Sequence, residues 1–106
     1  MERREAEDIK VRGKAAIDMI SQQPPREHGR LKAKLHFAIT GKHGGRFDTF
    51  DDATNAWCDR VEELYRQANG EGSENRRFAE TQMEGIVMVL EGIAQNPHFL
   101  EPVAVR

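Results

Sequence analysis

The chain of 106 residues has the length of one domain, a formal net charge of −2, and a composition that is 38% apolar and 32% charged. Because its apolar residues are grouped, this composition argues against a disordered chain. The single cysteine, Cys58, excludes an internal disulfide and suits a reducing compartment. No signal peptide follows Met1 and no apolar run is long enough to cross a bilayer. The sequence therefore predicts a cytoplasmic protein without membrane contact.

Residues 1–25 predict an amphipathic helix that ends at a pair of prolines. Small and apolar residues recur at helical spacing on one face, at Ala6, Ile9, Gly13, Ala16, Ile17 and Ile20. The residue before a proline is driven out of helical geometry, so Pro24 and Pro25 predict an end near Gln22.

Residues 26–50 predict a basic β-hairpin. Apolar side chains fall at every second position, at Leu31, Ala33, Leu35, Phe37 and Ile39. The same stretch also fits a helix, whose apolar face would be formed by Leu31, Leu35, Ala38 and Ile39. The glycine-rich segment 41–45 is typical of a hairpin loop and favours the strand, with residues 46–50 as the return strand.

Residues 51–95 predict a pair of helices. Thr49 or Asp51 would cap the first, and Asn69 with Gly70 would end it. Its core face is apolar, with Ala53, Trp57, Val61, Leu64 and Ala68. The second helix, residues 75–95, has a seam of apolar residues at alternating spacings of four and three, formed by Ala79, Met83, Ile86, Leu90 and Ile93.

The last eleven residues, 96–106, form a tail. Asn96 and Pro97 end the preceding helix. The tail then carries apolar side chains, at Phe99, Leu100, Val103 and Val105. It would either pack on the body of the protein or form a short edge strand, because Pro102 restricts a strand to an edge.

These elements predict a single α+β domain, residues 1–106, in the order α-β-β-α-α. One β-hairpin would pack against three helices, because a two-stranded hairpin is only marginally stable alone. The third helix would be central, since its apolar surface is wider than one stripe.

Residues 26–46 hold six basic residues and one acidic residue, whereas residues 47–106 are strongly acidic. The cations predicted to contact nucleic-acid phosphates or an acidic partner are Arg30, Lys32, Lys34, Lys42 and Arg46. A two-stranded ribbon can enter the major groove of DNA. The alternative is a solvated sheet face whose lysines prevent edge pairing. The acidic overall balance argues against a dedicated nucleic-acid binder.

The third predicted helix carries a second feature that indicates a binding surface. Gly85 and Gly92 share a face with Met88 and Val89 between them. Because glycine destabilises a helix, two glycines indicate close approach of another element. That element is either the first helix or a second copy of the chain. We predict self-association through Gly85, Met88, Val89 and Gly92.

The sequence predicts no catalytic residues, no metal site and no cofactor. The four histidines and Cys58 lack paired ligand spacing, and no small-molecule substrate is indicated. The predicted function is a non-catalytic regulatory or inhibitory binding protein that acts through the surface of a protein partner, as a homodimer, in the manner of small phage or plasmid accessory proteins. Binding of DNA or RNA through residues 26–46 is the alternative hypothesis, and a small enzyme is the third.

Overall fold

The computed structural model of the protein describes residues 1–70 and 72–101, and this part of the chain forms four α-helices and no strand. The helices are α1 (Arg3–Ser21), α2 (Pro25–Thr40), α3 (Phe50–Ala68) and α4 (Ser73–Gln95). The predicted α+β class is therefore wrong, and the described fold is all-helical. None of these four helices combines the length and the apolar run needed to cross a bilayer.

The segment predicted as a β-hairpin is α2 followed by a loop, residues 41–49. Pro25 occupies the first turn of α2, where its missing N–H needs no partner. Gly41 adopts a left-handed conformation, with φ 74°, and its N–H donates to the carbonyl of Phe37 at 2.8 Å. The glycine that suggested a hairpin loop therefore ends a helix.

The other three helices were predicted correctly, to within two residues at each end. At the start of α3, the Thr49 hydroxyl accepts a hydrogen bond from the backbone N–H of Asp52 at 3.0 Å. Thr49 is therefore the N-cap, and Asp51 and Asp52 lie in the first turn, where carboxylates are favoured by the helix dipole.

The core lies between α1, α3 and α4, each of which packs extensively on the other two. Trp57 is completely buried there, as predicted, and its indole N–H donates to the backbone carbonyl of Lys10 at 3.0 Å. α2 packs mainly on α3 and less on α4. Because α3 and α4 both contact every other helix, the fold has no single central helix.

Ion pairs join α1 to its two neighbours. Glu62 of α3 accepts hydrogen bonds from Arg3 and from Lys10, the latter at 2.7 Å. Arg12 donates to Glu91 of α4 at 2.6 Å. The bonds from Arg3 and Lys10 lower the pKa of Glu62 to about 2.

This shift predicts a loss of stability in acid. Because the pKa of Glu62 falls from 4.5 to about 2 on folding, its contribution is complete above about pH 5 and disappears as the pH falls toward 2. We expect Glu62→Gln to flatten the pH dependence of the denaturation midpoint over this window. Asp59→Asn, on the exposed side of the same helix, is the matched control. If the denaturation midpoint of Glu62→Gln depended on pH as steeply as that of wild type, the lowered pKa of Glu62 would be contradicted.

Candidate functional site

An open apolar cleft lies between α2 and α4. It encloses about 1050 Å³, which is at the upper end of the range for ligand sites in proteins. The α4 wall is mostly apolar and consists of Phe78, Thr81, Gln82, Gly85, Ile86, Val89 and Ile93. The α2 wall consists of Ala33, Lys34, Phe37 and Ala38. The lining is completed by the loop 41–49 after α2, with His43, Gly44, Gly45 and Arg46, and by the turn after α4, with Phe99 and Leu100.

The cleft exists because α2 has two apolar faces. Leu31, Leu35 and Ile39 follow one another at intervals of four residues and are buried against the core. Phe37 lies on another face, lines the cleft and keeps 46% of its surface exposed. Its ring stacks on that of His43, with 4.3 Å between ring centroids. One helix therefore serves both the core and the cleft.

The loop 41–49 folds back along α2. The backbone N–H of Phe47 donates to the carbonyl of Lys32 at 3.4 Å. Gly45 passes so close to the ring of His36 that a Cβ at this position would overlap it. These contacts hold the loop at the edge of the cleft, where Lys42 and Arg46 are exposed.

The turn that follows α4 is held by two cations of α2. Lys34 donates to the carbonyls of Pro97 at 2.7 Å and Phe99 at 3.2 Å. Arg30 donates to the carbonyl of Pro97 at 3.0 Å, and both cations pair with Glu101. Desolvation by burial lowers the pKa of Lys34 despite this carboxylate. The two side chains therefore serve the fold.

Part of the predicted tail packs back on the body. The ring of Phe99 covers Gly92, where a Cβ would lie 2.6 Å from the aromatic ring. Leu100, next in the chain, lines the cleft but is 73% exposed. Val103 and Val105, which completed the predicted tail, lie outside the described residues.

The structure separates the five predicted contact cations into two groups. Arg30 and Lys34 hold the turn, and Lys32 donates to the carbonyl of Asp48 at 3.1 Å. Lys42 and Arg46 are exposed on the loop, and no carboxylate of the described chain pairs with them. The predicted ribbon is wrong, because its first strand is a helix. Contact of these residues with a partner stays a prediction.

The four residues predicted for self-association do not share one environment. Gly85 and Val89 line the cleft, and Met88 is 62% exposed on α4 outside the lining. Gly92 is covered by Phe99, so its small size serves the fold. Self-association stays a prediction; of its four residues, Gly85 and Met88 are exposed and Val89 is half-buried.

Gly85 is the glycine that the fold does not explain. Glycine within a helix costs about 1 kcal/mol relative to alanine. At Gly13 and Gly92 a Cβ would overlap Trp57 and Phe99, so packing requires glycine there. At Gly85 nothing lies within 4 Å of where a Cβ would be. No contact within the described part of the chain therefore requires glycine at this position.

Sequence reasoning missed the exposed aromatic residues of the cleft. The alternation in residues 31–39 predicts that Phe37 lies on the buried side of a strand, and no pattern in the sequence predicts a role for Phe78. Phe78 lies in the second turn of α4, keeps 61% of its surface exposed and stands outside the apolar seam of that helix. A large aromatic residue outside the core stripe was the available signal.

Two other kinds of site, a metal site and a reactive cysteine, have little support in the described residues. The described residues contain no group of three or more histidine, cysteine, aspartate or glutamate side chains placed to hold a metal ion. Cys58 is half-buried on α3.

Comparisons of the chain with protein-family models, with curated proteins and with solved structures found no match.

Proposed function

We propose that this protein is a non-catalytic binding protein with a regulatory or inhibitory role, and that it acts by seating part of a protein partner in the cleft between α2 and α4. The observation that carries this proposal is the pair of exposed phenylalanines, Phe37 and Phe78, on opposite walls of one apolar cleft. Contiguous exposed apolar surface on a folded chain is typical of interaction sites. Aromatic anchors supply much of the binding energy at such sites.

A variant of Phe78 tests the proposal. Phe78→Asp places a charge in the cleft, and Val11→Asp is the matched control, because Val11 is equally exposed, at 62%, on α1 outside the cleft. Proteins captured from the native host by wild type and by Val11→Asp, but not by Phe78→Asp, are the candidate partners. Each is then purified and its dissociation constant measured by calorimetry.

We expect Phe78→Asp to weaken binding of the purified partner by about 30-fold or more, the effect of losing one anchor residue. Val11→Asp should bind as wild type does. Both variants change exposed positions, so circular dichroism should show unchanged helix content. The proposal fails if the two variants bind equally, or if no purified partner distinguishes them.

A second copy of the chain is the alternative occupant, as in the predicted homodimer. Gly85 and Val89 line the cleft, so self-association through the predicted residues would use part of the same surface. Sedimentation velocity measures this directly. Twice the chain mass of 12.1 kDa for wild type, and the single mass for Phe78→Asp, would identify the second copy as the occupant.

Nucleic-acid binding is the other alternative, and the structure offers it less support. Of the five predicted cations, only Lys42 and Arg46 are not engaged by the described chain. Two phosphate contacts would give a slope of about −2 in a plot of log affinity against log salt, far below that of specific DNA-binding proteins. An affinity for DNA or RNA that falls much more steeply with salt would restore this hypothesis.

A further inference from the structure

We propose that the occupant of the cleft is an acidic amphipathic helix of another protein. This inference rests on the proposed function and deepens it by naming the chemistry of the partner. Three features of the cleft support it, namely its length, the open space at Gly85 and the charge on its rim.

The cleft has the length of a helix rather than that of a small ligand. Its α4 wall is open from Phe78 to Val89, which is about 16 Å at the rise of an α-helix; beyond Val89, Phe99 covers Gly92 and Ile93 is buried. A partner helix of about three turns can lie along this distance. Such a helix would place apolar residues at i, i+3, i+4 and i+7 against the walls, as helices bound in grooves do.

Gly85 provides the place of closest approach. It lies in the α4 wall between Phe78 and Val89, and the space beside it is empty. A helix that packs on a glycine can come closer to the backbone of its neighbour than one that packs on a side chain. A partner helix therefore explains why an exposed helix interior keeps glycine where alanine would be more stable.

The rim of the cleft is positively charged. Arg46 lines the cleft, and Lys42 lies four residues before it on the same loop, whereas no carboxylate is among the lining residues. Both cations are exposed, and neither forms an ion pair within the described part of the chain. Glu101, the acidic residue of the adjoining turn, is already engaged by Arg30 and Lys34. This rim complements a partner with carboxylates beside its apolar stripe.

The same charge argues against a second copy as the occupant. A symmetric dimer brings the same surface of each chain against itself. Two clefts facing each other would therefore bring two positively charged rims together, with a repulsive contribution to the binding free energy.

The test uses a pair of synthetic peptides of about sixteen residues. Both carry leucine at helical spacing, and the polar positions are glutamate in one and lysine in the other. Their dissociation constants are measured by fluorescence anisotropy with wild type, with Phe78→Asp, and with a double variant, Lys42→Glu with Arg46→Glu. All three changes are at exposed or rim positions and leave the core intact.

We expect wild type to bind the acidic peptide at least ten-fold more tightly than the basic one, and this preference should decrease as salt is raised. The double variant should lose or reverse the preference. The proposal is overturned if wild type binds both peptides equally, if the double variant keeps the preference, or if the acidic peptide shows no binding at about 1 mM protein.

The outcomes also separate this inference from the proposed function. One outcome is that Phe78→Asp weakens the binding of both peptides equally and that wild type binds the two with the same affinity. In that case the cleft binds proteins but does not select acidic ones. If Phe78→Asp changes neither peptide's affinity, and captures the same host proteins as wild type, both proposals fail. A dimer of wild type that dissociates in Phe78→Asp identifies a second copy as the occupant.

Gly85→Ala gives an independent check on the close approach. Because nothing lies near the position of the added methyl group, we expect the melting temperature to rise, by about 5 °C. The affinity for the acidic peptide should fall several-fold, since the methyl group holds the partner away from α4. A rise in stability with unchanged affinity would show that no helix approaches at Gly85.

Discussion

Replacing Trp57 by alanine is expected to remove most of the stability of the protein. The side chain is completely buried between α1 and α3, and its indole N–H donates to the carbonyl of Lys10. Truncating a buried tryptophan to alanine costs about 3–5 kcal/mol, a large part of the 5–15 kcal/mol that stabilises a typical domain. Chemical denaturation followed by far-UV circular dichroism measures this loss.

Trp57→Phe is the control, because it keeps much of the apolar volume and removes the indole N–H. We expect it to cost about 1–2 kcal/mol, from the lost hydrogen bond and the smaller ring. The decisive result is which of the two variants loses more of the free energy of unfolding. If alanine destabilised the protein no more than phenylalanine does, the packing of this ring could not be what joins α1 to α3.

Gly13→Ala is expected to destabilise the protein although alanine favours helices. A Cβ at position 13 would overlap the indole ring of Trp57, which is enclosed and cannot turn away. The two helices must therefore separate, and overpacking of this kind costs about 1–3 kcal/mol. On an unobstructed helix the same change would stabilise by about 1 kcal/mol.

Gly85→Ala is the matched control, because the same substitution within a helix meets empty space. We expect the denaturation midpoint to fall for Gly13→Ala and to rise for Gly85→Ala. Two shifts of the same sign would mean that helix propensity outweighs packing at both positions, and that α1 does not depend on this close contact with α3.

Three of the four helices could be predicted from the sequence because each has an apolar stripe at helical spacing. In α3 that stripe includes Trp57, Val61 and Leu64, all buried, and Thr49 marks its start. The signals for these helices lie within the helix itself or within a few residues of its ends. Tertiary packing confirms what the local pattern already indicates.

The error in α2 has a specific physical cause. Leu31, Leu35 and Ile39 face the core, whereas Ala33 and Phe37 face the cleft. Together the two sets fall at every second position and imitate the period of a strand. The prediction went wrong because the apolar residues of one helix serve two surfaces.

The site itself could be predicted only in part. Of the residues that the sequence predicts for binding, four lie in the lining of the cleft: Lys34, Arg46, Gly85 and Val89. The pairing of Arg30 and Lys34 with a turn more than sixty residues later could not be foreseen, because it depends on how the helices pack. Local patterns indicate which residues stand out, and only the fold shows which of them the chain itself engages.

The unequal packing of the four helices affects how the cleft can widen. Since α1, α3 and α4 form the core, and α2 rests mainly on α3, the wall that carries Phe37 can shift without opening the other three helices. The energetic cost of widening the cleft then falls on the contacts of α2 with α3, with α4 and with the turn after α4. Under the proposed function, we expect a partner with bulkier anchor residues to be accepted by displacement of α2, while α4 stays fixed in the core.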